Sequence, residues 1–86
     1  MNCLFTAQGW EDYQYWSEHD RKTLKRVNDL VFAAKRRDRE TETGKPEPLR
    51  GALSGCWSRR ITGEHRLVYI KDETRFIVLQ ARYHYD

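Results

Sequence analysis

The sequence has few of the residues expected in secreted, metal-binding or membrane proteins. Its 86 residues include two cysteines, Cys3 and Cys56, without the paired spacing of a zinc or redox site. They could form one disulfide, but this usage favours reduced thiols in a cytosolic protein. The N-terminus lacks the basic start and apolar run of a signal peptide. The longest helix-compatible apolar run, 30–34, is too short to cross a bilayer. We therefore expect a soluble, cytoplasmic protein.

Length and charge indicate one small domain that could face a polyanion. An 86-residue chain is short for more than one core, so we assign 1–86 to a single domain. Apolar residues make up 38% and include three tryptophans, enough for a core. A net charge of +3 and a pI near 9.0 permit nucleic acid as a partner without proving it.

Hydrophobic patterning predicts the order β-α-α-loop-β-β-β. Asp20 reads as the N-cap of the second helix, in which apolar residues recur at helical spacing. The three late strands have short connections, which favours an antiparallel meander. The predicted fold class is α+β, with two N-terminal helices packed on one face of a mainly antiparallel sheet and the other face free to bind. The predicted elements are a strand at 2–6, helices at 9–19 and 20–34, a loop at 36–48, and strands at 56–62, 65–71 and 75–83.

Basic residues crowd both ends of the second helix. Arg21 with Lys25, and Lys22 with Arg26, are like-charge pairs at i,i+4, and a bound phosphate backbone would relieve their repulsion. A solvated helix face is the simpler alternative. The cluster at the end of the helix is better tolerated, because cations favour a helix C-terminus. It comprises Lys35, Arg36, Arg37 and Arg39.

Arginines of the predicted strands form another basic set. Because strand residues alternate faces, Arg59 and Arg60 point opposite ways, and Arg60 shares a small polar face with Cys56, Ser58 and Thr62. Arginine on such a face suits bidentate phosphate recognition. A surface salt bridge is the alternative for each arginine. The set is Arg59, Arg60, Arg66 and Arg82, and the candidate acids are Glu64, Asp72 and Glu73.

A third set of residues could carry acid–base chemistry. Glu47 lies between two prolines that stiffen its segment, while His65, His84 and Tyr85 lie on or after strands. Taken singly, each is more often an ordinary residue than a catalytic one. Together with arginine they suffice for RNA cleavage, which needs a base for the 2′-hydroxyl, an acid for the leaving 5′-oxygen and cations for the phosphorane. No metal-ligand spacing, phosphate loop or activated nucleophile motif competes with this set.

Several sequence runs together resemble the YoeB-type (Txe/YoeB) toxins of the RelE superfamily. The resemblance covers nearly the whole chain in matching order and spacing, and the combination is very specific. It includes Trp10, Asp12, Tyr13 and Trp16 of the first helix. The remaining runs are G-K-P-E-P-L at 44–49, L-S-G at 53–55, W-S-R-R-I-T at 57–62, E-H-R-L-V-Y at 64–69 and R-Y-H-Y at 82–85.

This resemblance implies a fold, an activity and partners. The fold is the RelE-like microbial RNase fold, and the activity is messenger RNA cleavage in the ribosomal A site. A YefM-type antitoxin neutralises such toxins, which often form homodimers; no cofactor is implied. Glu47 matches the general base, His84 the general acid, Arg66 the transition-state arginine, and Tyr85 a tyrosine that shapes the site. The expected RNA- or ribosome-binding residues are Arg21, Lys22, Lys25, Lys45, Arg50, Arg59 and Arg60.

The sequence also departs from the family pattern. Arg50 stands where lysine is frequent, Cys56 replaces an aromatic residue, Asp86 extends the usual end, and the loop 38–43 lacks common proline, phenylalanine and glycine features. Two other functions stay open. The chain could bind RNA or ribosomes without cutting, or it could act mainly as a partner in a repressor complex with its antitoxin.

Overall fold

The computed structural model describes residues 2–36 and 43–83 as two helices packed on a five-stranded sheet. Within these ranges, no helix is long and apolar enough to span a membrane. The predicted α+β class, with two helices on a mainly antiparallel sheet, is confirmed. The elements are β1 (Asn2–Phe5), α1 (Ala7–His19), α2 (Arg21–Lys35), β2 (Glu47–Pro48), a short 3-10 helix (Gly51–Leu53), β3 (Trp57–Arg60), β4 (Arg66–Lys71) and β5 (Arg75–Gln80).

The strands are arranged in the order β1-β5-β4-β3-β2. The predicted antiparallel meander of β3, β4 and β5 is confirmed, and β2 adds a further antiparallel pair. β1 pairs in parallel with β5, so that Phe5 lies opposite Val78. This parallel pairing joins the two ends of the described chain and was not predicted.

Helix α1 begins two residues before its predicted start because Thr6 caps it. The Thr6 hydroxyl accepts a hydrogen bond from the Gly9 amide at 3.0 Å and donates one to the Leu79 carbonyl at 2.9 Å. Gly9 itself packs against β5, where an added Cβ would collide with the Val78 carbonyl. The cap and the close approach therefore fix α1 against the last strand.

The predicted N-cap of α2 is confirmed. Asp20 accepts hydrogen bonds from the Thr23 amide at 3.0 Å and the Thr23 hydroxyl at 2.7 Å. These bonds, led by that of the hydroxyl, lower the pKa of the Asp20 carboxyl. The two helices thus form a hairpin around Asp20. Their main core lies between the helices and the sheet and contains Trp16, Val27, Leu30, Ala34, Ile61, Leu67, Tyr69, Phe76, Val78 and Ala81.

The face opposite the helices is partly covered, which corrects the expectation that it would be free. Leu49, Cys56 and Val68 form a second, smaller core there, with Leu53 and Leu79 packed against it. Leu49, Leu53 and Cys56 come from the segment after β2, which folds back over the sheet, whereas Val68 and Leu79 belong to β4 and β5. Both cysteines are free, with Cys3 exposed and Cys56 buried.

Strands β3 and β5 end two and three residues earlier than predicted. β3 ends at Arg60, because the amides of Ile61 and Thr62 turn to bond the His65 carbonyl. β5 ends at Gln80, and Tyr83 adopts a left-handed φ of 57° that an extended strand does not allow. The predicted loop contains the two-residue strand β2, which pairs with β3.

Candidate active site

Strand register brings three candidate residues to one face of the sheet. Glu47 lies opposite Ser58, and Arg60 lies opposite Arg66. Ser58 and Arg60 are two residues apart on β3 and therefore share a face. The neighbour of Arg66 on β4, Leu67, is buried in the main core under the helices. Glu47, Arg60 and Arg66 consequently share the face that points away from the helices.

The turn before Glu47 fixes where β2 meets β3. Gly44 and Lys45 both have left-handed φ values, 80° and 50°. The Gly44 carbonyl accepts a hydrogen bond from the Arg60 amide at 2.7 Å. An added Cβ at Gly44 would lie 2.7 Å from a methyl carbon of Leu30, so glycine is required by both conformation and space. Glu47 is therefore presented as an exposed carboxylate on a short, anchored edge strand.

The Arg66 side chain is half-buried and held by backbone carbonyls. Its Nη1 donates to the carbonyl oxygens of Thr62 at 2.8 Å, Gly63 at 3.3 Å and His65 at 3.0 Å. These acceptors belong to the turn that connects β3 to β4. The guanidinium charge is thereby fixed at the edge of the face that carries Glu47, with little rotamer freedom left to lose on binding.

The chain leaves β5 through a segment held by α1 and β4. Asp12 accepts a hydrogen bond from the Ala81 amide at 2.9 Å, and the Trp16 indole donates to the Ala81 carbonyl at 2.8 Å. Both side chains are buried. Two residues later, the Tyr83 amide donates to His65 Nδ1 at 2.7 Å, and the Tyr83 carbonyl accepts from the Arg66 amide at 3.1 Å. The described chain thus ends beside Arg66.

Some predicted residues cannot be placed. His84, Tyr85 and Asp86 lie outside the described residues, as do Arg37 and Arg39. Sequence reasoning also missed the roles of Asp12, Trp16 and His65 in holding the chain end. The available signal was the i,i+4 spacing of Asp12 and Trp16 on α1, which puts a buried carboxylate and an indole on one helix face.

Arg59 is not presented on the surface, which corrects its expected role in RNA contact. Its side chain is buried, with Nε donating to the Tyr69 hydroxyl at 3.1 Å and Nη1 to the Thr43 carbonyl at 2.9 Å. The alternation of β3 points it to the helix side, whereas Arg60 is exposed on the other face. Ser58 and Cys56 are also buried, so they do not form the small polar surface expected around Arg60.

The start of α2 borders a basic groove of about 330 Å³. Arg26 closes one side by donating to the Arg60 carbonyl at 3.1 Å. Lys25 pairs with Asp29 at 3.0 Å, and both are exposed, so part of the positive charge is neutralised within the helix. Arg21, Lys45 and Arg50 are also exposed, but they do not line this groove. The groove is lined by Lys22, Thr23, Lys25, Arg26, Asp29, Ile61 and Thr62.

Two of the candidate acids, Glu64 and Asp72, pair with residues outside the predicted set of Arg59, Arg60, Arg66 and Arg82. Glu64 contacts His65 Nε2 at 3.2 Å, and Asp72 pairs with Arg75 at 2.9 Å. Arg82 lies over the Tyr15 ring at 3.5 Å from its centroid.

In residues 2–36 and 43–83, no three histidine, cysteine or carboxylate side chains are grouped as metal ligands.

Comparison with known proteins decides the family. Residues 5–85 match the family model described as YoeB-like toxin of bacterial type II toxin-antitoxin system. The chain belongs to this toxin family. The YoeB toxin of Streptomyces coelicolor is 54% identical, with 99% of this chain and 100% of the relative covered.

Solved structures agree with this YoeB assignment. The heterotetrameric YoeB-YefM complex from Staphylococcus aureus contains a chain 40% identical to this one, with a TM-score of 0.88, covering 99% of this chain and 98% of that one. The YoeB dimer from the same organism is 40% identical, with a TM-score of 0.89 and the same coverage. The fold expected from the resemblance, two helices on a sheet of RelE type, is therefore confirmed.

Proposed function

We propose that this YoeB-family toxin is a ribosome-dependent endoribonuclease that cleaves messenger RNA in the ribosomal A site and so inhibits translation. The observation that carries the proposal is the placement of Glu47, Arg60 and Arg66 on one sheet face, beside the point where the described chain ends at Tyr83. His84 and Tyr85 follow directly in sequence. We propose the ribosome as the place of cleavage because the sequence resembles the YoeB-type toxins.

The reaction needs only protons, charge and correct positioning. Glu47 takes the proton of the 2′-hydroxyl, and the 2′-oxygen attacks the adjacent phosphorus. The bond to the 5′-oxygen breaks, and His84 supplies the proton to that leaving oxygen, while Tyr85 shapes the site. Arg66 and Arg60 stabilise the extra negative charge of the phosphorane. The products are a 2′,3′-cyclic phosphate and a 5′-hydroxyl, formed without a metal ion in any of these steps.

The surface for RNA and ribosome extends from this face toward α2. Thr62 lines the basic groove, and its carbonyl also holds Arg66, so the groove adjoins the proposed cleavage site. Phosphate contacts along this path would contribute salt-dependent affinity without sequence preference. We assign this role to Arg21, Lys22, Lys25, Lys45, Arg50 and Arg60, and we leave out the buried Arg59.

The proposed protein partner is a YefM-type antitoxin that neutralises the toxin in the cytoplasm. The similar Staphylococcus aureus structures are a YoeB-YefM complex and a YoeB dimer, which supports an antitoxin and a second toxin copy as partners here. A basic groove suits an acidic antitoxin segment, since opposite charge steers association.

The test is cleavage of messenger RNA on programmed ribosomes with mapping of both new ends. Glu47→Gln and His84→Gln should each slow single-turnover cleavage by roughly 10²–10⁴, the range for general acid–base catalysis. Glu73→Gln is the matched control, because Glu73 is an exposed acid in the turn before β5. Glu47→Gln should melt at the wild-type temperature because Glu47 is exposed. His84→Gln should do so as well, because glutamine is uncharged and similar in reach to histidine.

Two outcomes would contradict the proposal. New ends that carry a 5′-phosphate would exclude attack by the 2′-hydroxyl. Ribosome binding without any cleavage by the wild-type protein would favour the alternative of a binding module. Because ribosomes themselves require magnesium, their integrity is checked separately when chelator is added.

A further inference from the structure

We propose that His65 is a positioning residue that holds the C-terminal segment through its Nδ1 atom. The proposal rests on the proposed function, because the segment it holds leads to His84 and Tyr85. His65 immediately precedes β4, next to Arg66. Neither His65 nor Tyr83 belongs to the set of residues assigned above to proton transfer or phosphate contact.

The hydrogen bonds of His65 define one tautomer. A backbone amide can only donate, so the 2.7 Å contact from the Tyr83 amide requires an unprotonated Nδ1. The proton of the neutral ring is then on Nε2, which lies 3.2 Å from a Glu64 carboxylate oxygen. Both ring nitrogens therefore have a partner, and the carboxylate favours the tautomer in which Nδ1 accepts.

Aromatic neighbours fix the orientation of the His65 ring. The Trp16 ring meets it edge-on with centroids 4.8 Å apart, and the Tyr83 ring lies 5.0 Å away at an angle of 51°. Only 12% of the side chain is exposed. Trp16 is itself bonded to the Ala81 carbonyl. The ring that holds Tyr83 is consequently oriented by the same residue that holds Ala81.

The backbone conformation of Tyr83 depends on the hydrogen bonds that hold it. Its φ of 57° lies in the left-handed region, which is unfavourable for a residue with a large side chain. This conformation is held by His65 at the amide and by the Arg66 backbone at the carbonyl. Because Arg66 also carries the proposed transition-state charge, the dipeptide 65–66 couples the direction of the chain end to that charge.

A half-buried histidine with both ring nitrogens hydrogen-bonded often has only a structural role, so the test must separate position from stability. Asparagine carries its oxygen at the place of Nδ1, whereas glutamine carries its amide nitrogen at the place of Nε2. His65→Asn should therefore keep the acceptor for Tyr83, and His65→Gln should lose it. Both variants lose the same ring contacts, so the loss of packing is matched between them.

Two measurements on the full chain test whether Nδ1 of His65 holds Tyr83 and thereby supports cleavage. Exchange of the Tyr83 amide, followed by NMR, should be roughly fivefold faster or more in His65→Gln than in His65→Asn. The kcat for cleavage on ribosomes should be roughly 10- to 100-fold lower in His65→Gln than in His65→Asn, because small displacements of a catalytic group have large effects on rate. KM should differ little, since the phosphate-binding residues are unchanged.

The outcomes separate this proposal from the proposed function. If His65→Gln exposes the Tyr83 amide but cleaves at the wild-type rate, the positioning role is wrong. If both variants lose cleavage and amide protection equally, ring packing rather than the Nδ1 acceptor holds the segment, and the proposal is overturned. If the wild-type protein cuts no RNA, the proposed function fails, and the exchange rates alone decide whether Nδ1 holds Tyr83.

Discussion

Asp12 accepts one buried hydrogen bond that ties α1 to the end of β5, and the Asp12→Ala substitution removes it. The Asp12 carboxylate accepts from the Ala81 amide at 2.9 Å, and Ala81 is fully buried. Alanine would leave that amide without a partner. A hydrogen bond to a charged group contributes about 1.5–3 kcal/mol, and a buried unsatisfied donor has a penalty of similar size.

The expected loss of unfolding free energy is large for a protein of this size. A chain of 86 residues is expected to have an unfolding free energy of roughly 4–13 kcal/mol. For such a domain, each kcal/mol shifts the melting temperature by about 4–8 °C, so Asp12→Ala should lower it by roughly 6–24 °C. Asp12→Asn keeps an acceptor oxygen and should lose less.

Thermal melting by circular dichroism measures this effect, with Asp29→Ala as the matched control. Asp29 has the same side chain on the other helix, but its bond to Lys25 is exposed. An exposed i,i+4 pair contributes about 0.3–0.5 kcal/mol, so Asp29→Ala should melt close to the wild type. If Asp12→Ala melts no lower than Asp29→Ala, the hydrogen bond between Asp12 and Ala81 does not contribute to stability and the prediction is wrong.

Other predictions concern the turn before β2, a surface turn and the partner. Gly44→Ala should lower the unfolding free energy by about 1–3 kcal/mol in urea titrations, through the left-handed φ and the contact with Leu30; an unchanged urea midpoint would contradict this. Hydrogen bonds from Thr74 and Arg75 lower the pKa of the Asp72 carboxyl in the folded protein. Its contribution to stability is therefore fully present above the unfolded pKa, about 4, and is lost as the pH falls from there through the lower folded pKa. Asp72→Asn should therefore flatten the acid limb of stability measured against pH, and an identical acid limb would argue against it. Association with an acidic antitoxin should slow as salt rises, whereas a rate constant independent of salt would refute electrostatic steering.

Much of the candidate site could be predicted from residue types and family resemblance, but its geometry could not. Glu47 and Arg66 were expected as a base and a cation, and strand register places them with Arg60 on one face. Arg59 was expected as an RNA contact, although strand alternation put it on the opposite face from Arg60. The hydrogen bonds that hold it in the interior could not be predicted, because the Tyr69 hydroxyl and the Thr43 carbonyl are 10 and 16 residues away.

Local patterns in the sequence determined the helices, the N-cap and the meander. Helical hydrogen bonds join residues four apart, so apolar spacing along α2 and the Asp20 cap are visible in the sequence itself. Short connections likewise predicted the pairing of β3, β4 and β5. The basic and acid–base residues were also visible in the sequence. They were compatible with RNA cleavage, which the family resemblance then implied.

Only the tertiary structure decided which distant residues meet. The Thr6 hydroxyl bonds the Leu79 carbonyl across 73 residues, and Asp12 bonds Ala81 across 69. Such contacts depend on the parallel pairing of β1 with β5 and on the packing of α1 over it, and neither has a local signal. Loop closure over that distance is an entropic cost that only the assembled core offsets. The path of residues 81–83 beside Arg66 is therefore a property of the whole fold.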